Sequence, residues 1–256
     1  MGNLVHLNTV TLITFIQRLM DCQCDINVLQ AKGYYDKKII DHFATILYYA
    51  LFQDKISKIG YDNMREALLL LERYPLFKQE VAELMTFLKD NLEFQTYQMG
   101  NNYPFGLELY GCYTREEIFA LFDRQTCKKK MQGVAAGVFN IEEQNTELLF
   151  VTLNKSDKDF SPSTQYNDFF ISENRFHWQS QNTMSHSNAG KRYVNQRDNG
   201  RRFILFVRED KKDGYGNTSP YYCMGLIDYL SSHGDFPMNI EWQMEKPALA
   251  KFIKAV

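Results

Sequence analysis

Four absences narrow what this chain can be. It has no run of eighteen apolar residues, so nothing in it reads as a membrane-spanning helix. Its first residues lack the charged-then-apolar plan of a secretory signal, so a soluble, cytoplasmic protein with no membrane partner is expected. The five cysteines include one C-x-C, Cys22 and Cys24, with no second C-x-C or H-x₃-H to complete a zinc set. An odd count also argues against a disulfide framework, so the expectation is buried free thiols and no metal. The signatures of several enzyme classes are missing too. Gly190-Lys191 is followed by Arg192 and has no glycine five positions before it, and neither G-x-S-x-G nor H-E-x-x-H occurs. No catalytic residue, and no cofactor of the chain's own, is therefore expected.

A formal charge of -2 excludes a uniform electrostatic glove for nucleic acid, so any phosphate contact has to be local. What is present is ample core material: 256 residues, 45% of them apolar, enough for two domains. Residues 1 to about 100 read as helical, with apolar residues at three- and four-residue spacing in Thr9–Asp21 and Lys37–Lys55. Asp62 is a candidate cap, and Pro75 fits the first turn of a helix reaching Asn91. The turn formers from Met99 to Pro104 mark a linker, giving a helical domain 1–102 and a second domain 103–256.

The second domain opens on a capping box, Thr114 to Glu117, and then changes character. Short apolar runs predict strands at Glu147–Leu153, Asp168–Ser172, Arg175–Gln179, Phe203–Val207, Tyr222–Leu230 and Asn239–Met244. The fold class is therefore α+β: an N-terminal helical bundle, then a partly open β-barrel with one or two flanking helices.

The stretch from Tyr166 to Asn182 carries the most chemistry. Rings beside one carboxylate and several amide or hydroxyl groups can hold a nucleobase by stacking and by reading its edge. On strands, alternate side chains share a face, so Tyr166 goes with Asp168, and Phe176 with Trp178 and Ser180, leaving His177 and Gln179 opposite. If the two strands pair through Ser172-Glu173-Asn174, Tyr166 and Trp178 could sandwich a ring while Asp168 takes an exocyclic amine. The competing reading makes Phe176 and Trp178 ordinary core and Asp168 a turn cap. His177 is more simply a satisfied structural histidine. Two basic clusters follow. One is Arg124 with Lys128 to Lys130; between His186 and Lys212, eight Lys and Arg face three Asp and Glu. Lys191, Arg192, Arg201, Arg202 and Arg208 of that second cluster, with Asn154 and Lys155, are candidate contacts to a DNA backbone.

Several of these runs resemble a known family. Phe150 to Lys155, Phe160 to Asp168, Phe176-His-Trp-Gln-Ser-Gln181, Gly190 to Tyr193, Leu205 to Arg208 and Pro237 to Trp242 are similar to a DUF3427-type domain, over roughly Tyr103 to Met244. The chain looks like the C-terminal part of SauUSI-like, ATP-dependent type IV restriction enzymes: a helical coupler and an SRA-like recognition domain. That resemblance implies an SRA/PUA-like barrel, with Tyr166, Asp168, Trp178, Gln179, Ser180 and Gln181 forming a pocket for a flipped 5-methylcytosine or 5-hydroxymethylcytosine. It implies duplex DNA with modified cytosine as partner, and helicase and phospholipase-D-like nuclease domains in the same full-length chain. ATP and Mg would then belong to that motor. The second aromatic is Trp where the family has Tyr, and Gln179-Ser180-Gln181 replaces a Gly-rich tail. Two other functions stay open: a reader of modified RNA or N6-methyladenine, and a docking module between helicase and nuclease without base recognition.

Overall fold

In the computed structural model the described residues are 2–131, 137–155, 167–180 and 182–253. They divide into two compact units, Met1–Gly133 and Val134–Val256.

The first unit is helical. Its helices are α1 (Val10–Asp21), α2 (Ile26–Ala31), α3 (Lys37–Phe52), α4 (Ile56–Ile59), α5 (Met64–Arg73), α6 (Pro75–Asp90) and α7 (Arg115–Leu121). Three two-residue strands, β1 (Tyr97–Gln98), β2 (Glu108–Leu109) and β3 (Cys112–Tyr113), lie between α6 and α7. The helices start where side chains satisfy otherwise orphaned N–H groups. Asp36 accepts from Ile39 N in α3, and the Thr114/Glu117 capping box opens α7. Pro75 occupies the first turn of α6 as expected, but α5 is capped by Asn63 rather than Asp62. Phe15, Tyr35 and Phe43 meet ring to ring in the core. Gly106 (φ +90°) is required there, since a Cβ at that position would lie 2.3 Å from the Phe43 ring. The unit ends at Gly133, and Leu107, Tyr113 and Ile118 to Phe122 are among its buried residues.

Two histidine–carboxylate pairs join distant parts of this unit. His6 Nε2 lies 2.9 Å from Glu117 and His42 Nε2 lies 2.6 Å from Asp123. Burial pushes the His6 imidazole down, yet the Glu117 charge and hydrogen bond lift it above the usual histidine value.

The second unit is a mixed sheet. Its strands are β4 (Val138–Ile141), β5 (Thr146–Thr152), β6 (Phe169–Ser172), β7 (Arg175–Gln179), β8 (Arg202–Arg208), β9 (Tyr221–His233) and β10 (Asn239–Met244), with α8 (Asn188–Val194) before β8. The order across the sheet is β4-β5-β8-β9-β10-β7-β6. Every neighbouring pair in that order is antiparallel except β5 with β8, which run parallel from Thr146↔Arg202 to Thr152↔Arg208. The fold is thus α+β, as expected, but the sheet is not closed into a barrel. Among the described residues β4 pairs only with β5 and β6 only with β7, and no ladder joins these edges.

The sheet does curl. Four strands separate β5 from β6, yet the Lys155 ammonium after β5 sits 2.5 Å from the Asp168 carboxylate before β6. β9 helps to bend it: Gly225 (φ +81°) sits where the pairing with β8 shifts register, as a bulge glycine does. The core between is aromatic. Trp178, Tyr193, Phe203, Tyr229 and Trp242 touch ring to ring, with centroids 4.9–6.4 Å apart. The polar stretch Asn182–Ala189 runs into α8 at its end. Ser187 caps that helix by accepting from Gly190 N. Gly190 lets the helix pass close to the preceding chain, because a Cβ there would stand 2.1 Å from the Met184 carbonyl.

Because the His6 pKa is raised on folding, its contribution is fully present below the unfolded value near 6.5. It is lost as pH rises through the folded value. Denaturant unfolding should therefore show falling stability of the first unit from about pH 6.5 upward. His6→Gln should flatten that slope, whatever its effect on stability at one pH.

Candidate functional site

The Tyr166–Asn182 run folds as the strand alternation requires. β6 and β7 pair through the turn at Glu173-Asn174, with Phe169 opposite His177 and Phe170 opposite Phe176. Phe176, Trp178 and Ser180 face the core, while Arg175, His177 and Gln179 are only half-buried. Tyr166 and Gln181 lie outside the described residues.

Trp178 is 3% exposed and packs edge-on against Tyr193, with its ring also near Trp242. It is a core residue here, not an open stacking face. Ser180 is fully buried, where its backbone N–H donates to Met238 O and its Oγ accepts from Met238 N. That exchange fixes the end of β7 against the residue before β10. Gln179 spans both neighbours: Oε1 accepts from Asn167 N and Nε2 donates to Asn239 Oδ1.

Asp168 is the chemically distinctive group. Its carboxylate is nearly buried, and Oδ1 accepts from Gln179 N at 2.9 Å while Oδ2 meets Lys155. Burial pushes this carboxyl above the usual aspartate value, against the pull of the Lys155 charge and the Gln179 N–H. A carboxylate has about four acceptor positions, and the described partners use two of them. Counted over the described residues, two acceptor positions are left unused.

The opposite face of these strands is polar with an aromatic pair. Phe169, 40% exposed, stacks on His177 with centroids 4.7 Å apart, and His177 Nδ1 bonds to Asn167 O. Arg175 pairs with Glu241 beside them. By parity Phe169 and Asp168 point to opposite faces, so this pair and the carboxylate are not walls of one pocket.

The expected backbone contacts divide sharply. Lys155 is committed to Asp168. Arg192 and Arg201 both reach the buried Glu147, at 2.5 Å and 3.4 Å, and Arg201 also holds Glu142 and Asn140. Arg208 donates to Thr152 Oγ1 and Ser219 O and lies over the Tyr221 ring. Arg202 donates to Gln144 O, and Asn154 N bonds to Glu209 O. Lys191 is exposed on α8. The cluster that composition made a phosphate patch is therefore in large part tied internally, with Arg192 and Arg201 in an ion network around Glu147. The sequence reading missed Glu147 itself; its signal was a lone acid in the apolar strand Glu147–Leu153. Burial pushes the Glu147 carboxyl up, and Arg192 and Arg201 oppose that shift.

The five thiols are free, and among the described residues no three His, Cys, Asp or Glu side chains gather as a metal site would require. Among those residues no helix is long and apolar enough to cross a membrane.

The model of the family described as "Domain of unknown function (DUF3427)" matches residues 107–254. The chain belongs to this family. No curated protein matches it. The DUF3427 match begins inside the first compact unit and takes in β3, α7, the whole curled sheet and the Lys155–Asp168 pair.

Two outcomes follow from these placements. Trp178→Ala should cost about 3–5 kcal/mol in denaturant unfolding, as expected for a large aromatic removed from a core. Asp168→Asn should cost a similar ~3–5 kcal/mol, because it removes the anion of a buried ion pair. Adding Lys155→Met to that variant should recover most of the loss, and a double-mutant cycle measures the coupling.

Proposed function

We propose that the DUF3427 chain is a non-catalytic reader of modified cytosine in duplex DNA, serving an ATP-dependent type IV restriction enzyme whose motor and nuclease lie elsewhere. One observation carries the reading. Asp168 is a desolvated carboxylate whose described partners use two of its acceptor positions, held where its ion pair draws the end of β5 to the start of the edge strand β6. Such a group suits the exocyclic amine of an extruded cytosine, as carboxylates accept from cytosine N4. Lys155 is its resting partner and is displaced toward the phosphates when a base enters.

The stacking role passes to Tyr166, named from sequence, because Trp178 is packed in the core. Extrusion costs a few kcal/mol, and stacking returns roughly 1–3 kcal/mol per base. A cytosine methyl adds about 0.8 kcal/mol of burial, a modest preference that coupling to a motor would have to sharpen. ATP and Mg belong to that motor in this proposal.

Fluorescence anisotropy tests it, with one short duplex carrying or lacking a single 5-methylcytosine. The modified duplex should bind more tightly, and Tyr166→Ala should remove the preference while circular dichroism stays unchanged. Equal binding of both duplexes would refute base reading. No binding of either would favour a protein-docking role, for which the exposed Leu76 and Phe87 of α6 offer a surface.

A further inference from the structure

The β8–β9 connection is a built projection, not a slack loop. Ser219 N bonds to Lys211 O, Lys212 bridges to Thr218, and Asp213 N bonds to Asn217 O. The two chains thus run as a ribbon beyond the sheet. Asp213 then locks the tip: Oδ1 accepts from Tyr215 N at 2.9 Å and Asn217 N at 2.8 Å, and Oδ2 accepts from Asn217 Nδ2. Those bonds hold the Asp213 carboxyl below the usual aspartate value. Gly216 (φ +87°) supplies the left-handed residue of the turn. On this tip Tyr215 is 94% exposed, the most exposed of the large hydrophobic side chains among the described residues.

The ribbon leaves the sheet at a defined place. Leu153 N bonds to Arg208 O and Asn154 N to Glu209 O, so β5 and β8 end together and Lys155 emerges at the ribbon's base. The tip therefore projects from the same end of the sheet as the Lys155–Asp168 pair. From Ser219 to Asn217 the ladder extends about 7 Å at ~3.3 Å per residue, and the turn that carries Tyr215 lies beyond it. The major groove of B-DNA is about 8.5 Å deep and admits a two-stranded ribbon. Charge along the projection is balanced, with Lys211 and Lys212 against Asp210 and Asp213. Attraction to phosphate is therefore not what such a tip offers. It offers a rigid aromatic slab whose ordering entropy is spent before binding.

We infer that the Lys211–Ser219 ribbon enters the groove of duplex DNA beside the base-reading site, and that Tyr215 wedges into the base stack there. This inference rests on the DNA-reading proposal and deepens it. The wedge unstacks the step next to the base that Asp168 receives, in the way inserted side chains open base steps.

The test uses the whole chain and a short 5-methylcytosine duplex with 2-aminopurine next to the modified base. Wild-type binding should raise 2-aminopurine fluorescence as the step opens. Tyr215→Ala should weaken binding about ten- to a hundredfold and abolish that rise at saturation, leaving the salt dependence of affinity unchanged. Tyr215→Phe should restore both. Asp213→Ala, which keeps the ring but frees the tip, should fall between them. Equal affinity and equal fluorescence for Tyr215→Ala would overturn the wedge and leave the DNA reading standing. A changed salt slope would make the tip a phosphate contact and overturn it as well. Absence of binding by the wild-type chain would remove both together.

Discussion

The parallel pairing of β5 with β8 governs the second unit. Antiparallel neighbours can be joined by a tight turn, but parallel ones need a crossover. Here residues 153–201 supply it, and this crossover holds β6, β7 and α8, with nearly all the residues that could read a base. β7 then pairs with β10 at the far side of the sheet, so the chain leaves β5, travels round and returns to lie beside it. The curl that brings Lys155 to Asp168 follows from that route. So does the common end at which Lys155 and the β8–β9 ribbon emerge.

A parallel pair in mid-sheet is covered on both faces, which explains the chemistry around Glu147. The carboxylate is fully buried in β5, and a lone buried charge would cost several kcal/mol. Arg192 from α8 and Arg201 at the entry to β8 both converge on it. Arg208 does similar work at the other end of the strand pair, joining Thr152 to Ser219 and covering Tyr221. Arginine suits these positions because its planar fork can bond several acceptors at once. A run of basic residues in sequence is thus divided by the fold into internal ties and a smaller exposed remainder, including Lys191 and Arg197.

The regular elements were largely legible in the sequence, because each local signal agreed with its tertiary setting. β7 and β10 have the expected limits, α6 begins at Pro75, and the Thr114 capping box forms. Alternation along β7 also placed Phe176, Trp178 and Ser180 on one face correctly. What alternation cannot tell is whether that face meets a ligand or the rest of the core. The decisive neighbours, Tyr193 and Trp242 on Trp178 and Phe203 joining those two, come from three other elements, and only the tertiary fold gathers them. The same limit applies to Arg192, Arg201 and Glu147, whose partnership is set by the parallel register. α8 escaped notice because a seven-residue helix in a polar stretch has too few apolar positions to show a period.

Stability alone explains the Asp168–Lys155 pair poorly, which is why the proposed reading centres on it. Two buried charges recover their desolvation cost only with good geometry and further hydrogen bonds, and an apolar pair in the same space is often neutral or stabilising. Here the carboxylate keeps acceptor capacity, and its pKa is pushed up despite a lysine at 2.5 Å. An acid in that state gains more than most from an arriving neutral donor, which adds hydrogen bonds without bringing another charge to desolvate. The aromatic core under it, Trp178 included, keeps β7 rigid, so Gln179 N and Ser180 hold the carboxylate's surroundings in one geometry. Under the proposed reading, the rings of the FHWQSQ run act mainly as scaffold, and the polar atoms between them are what a bound base would meet.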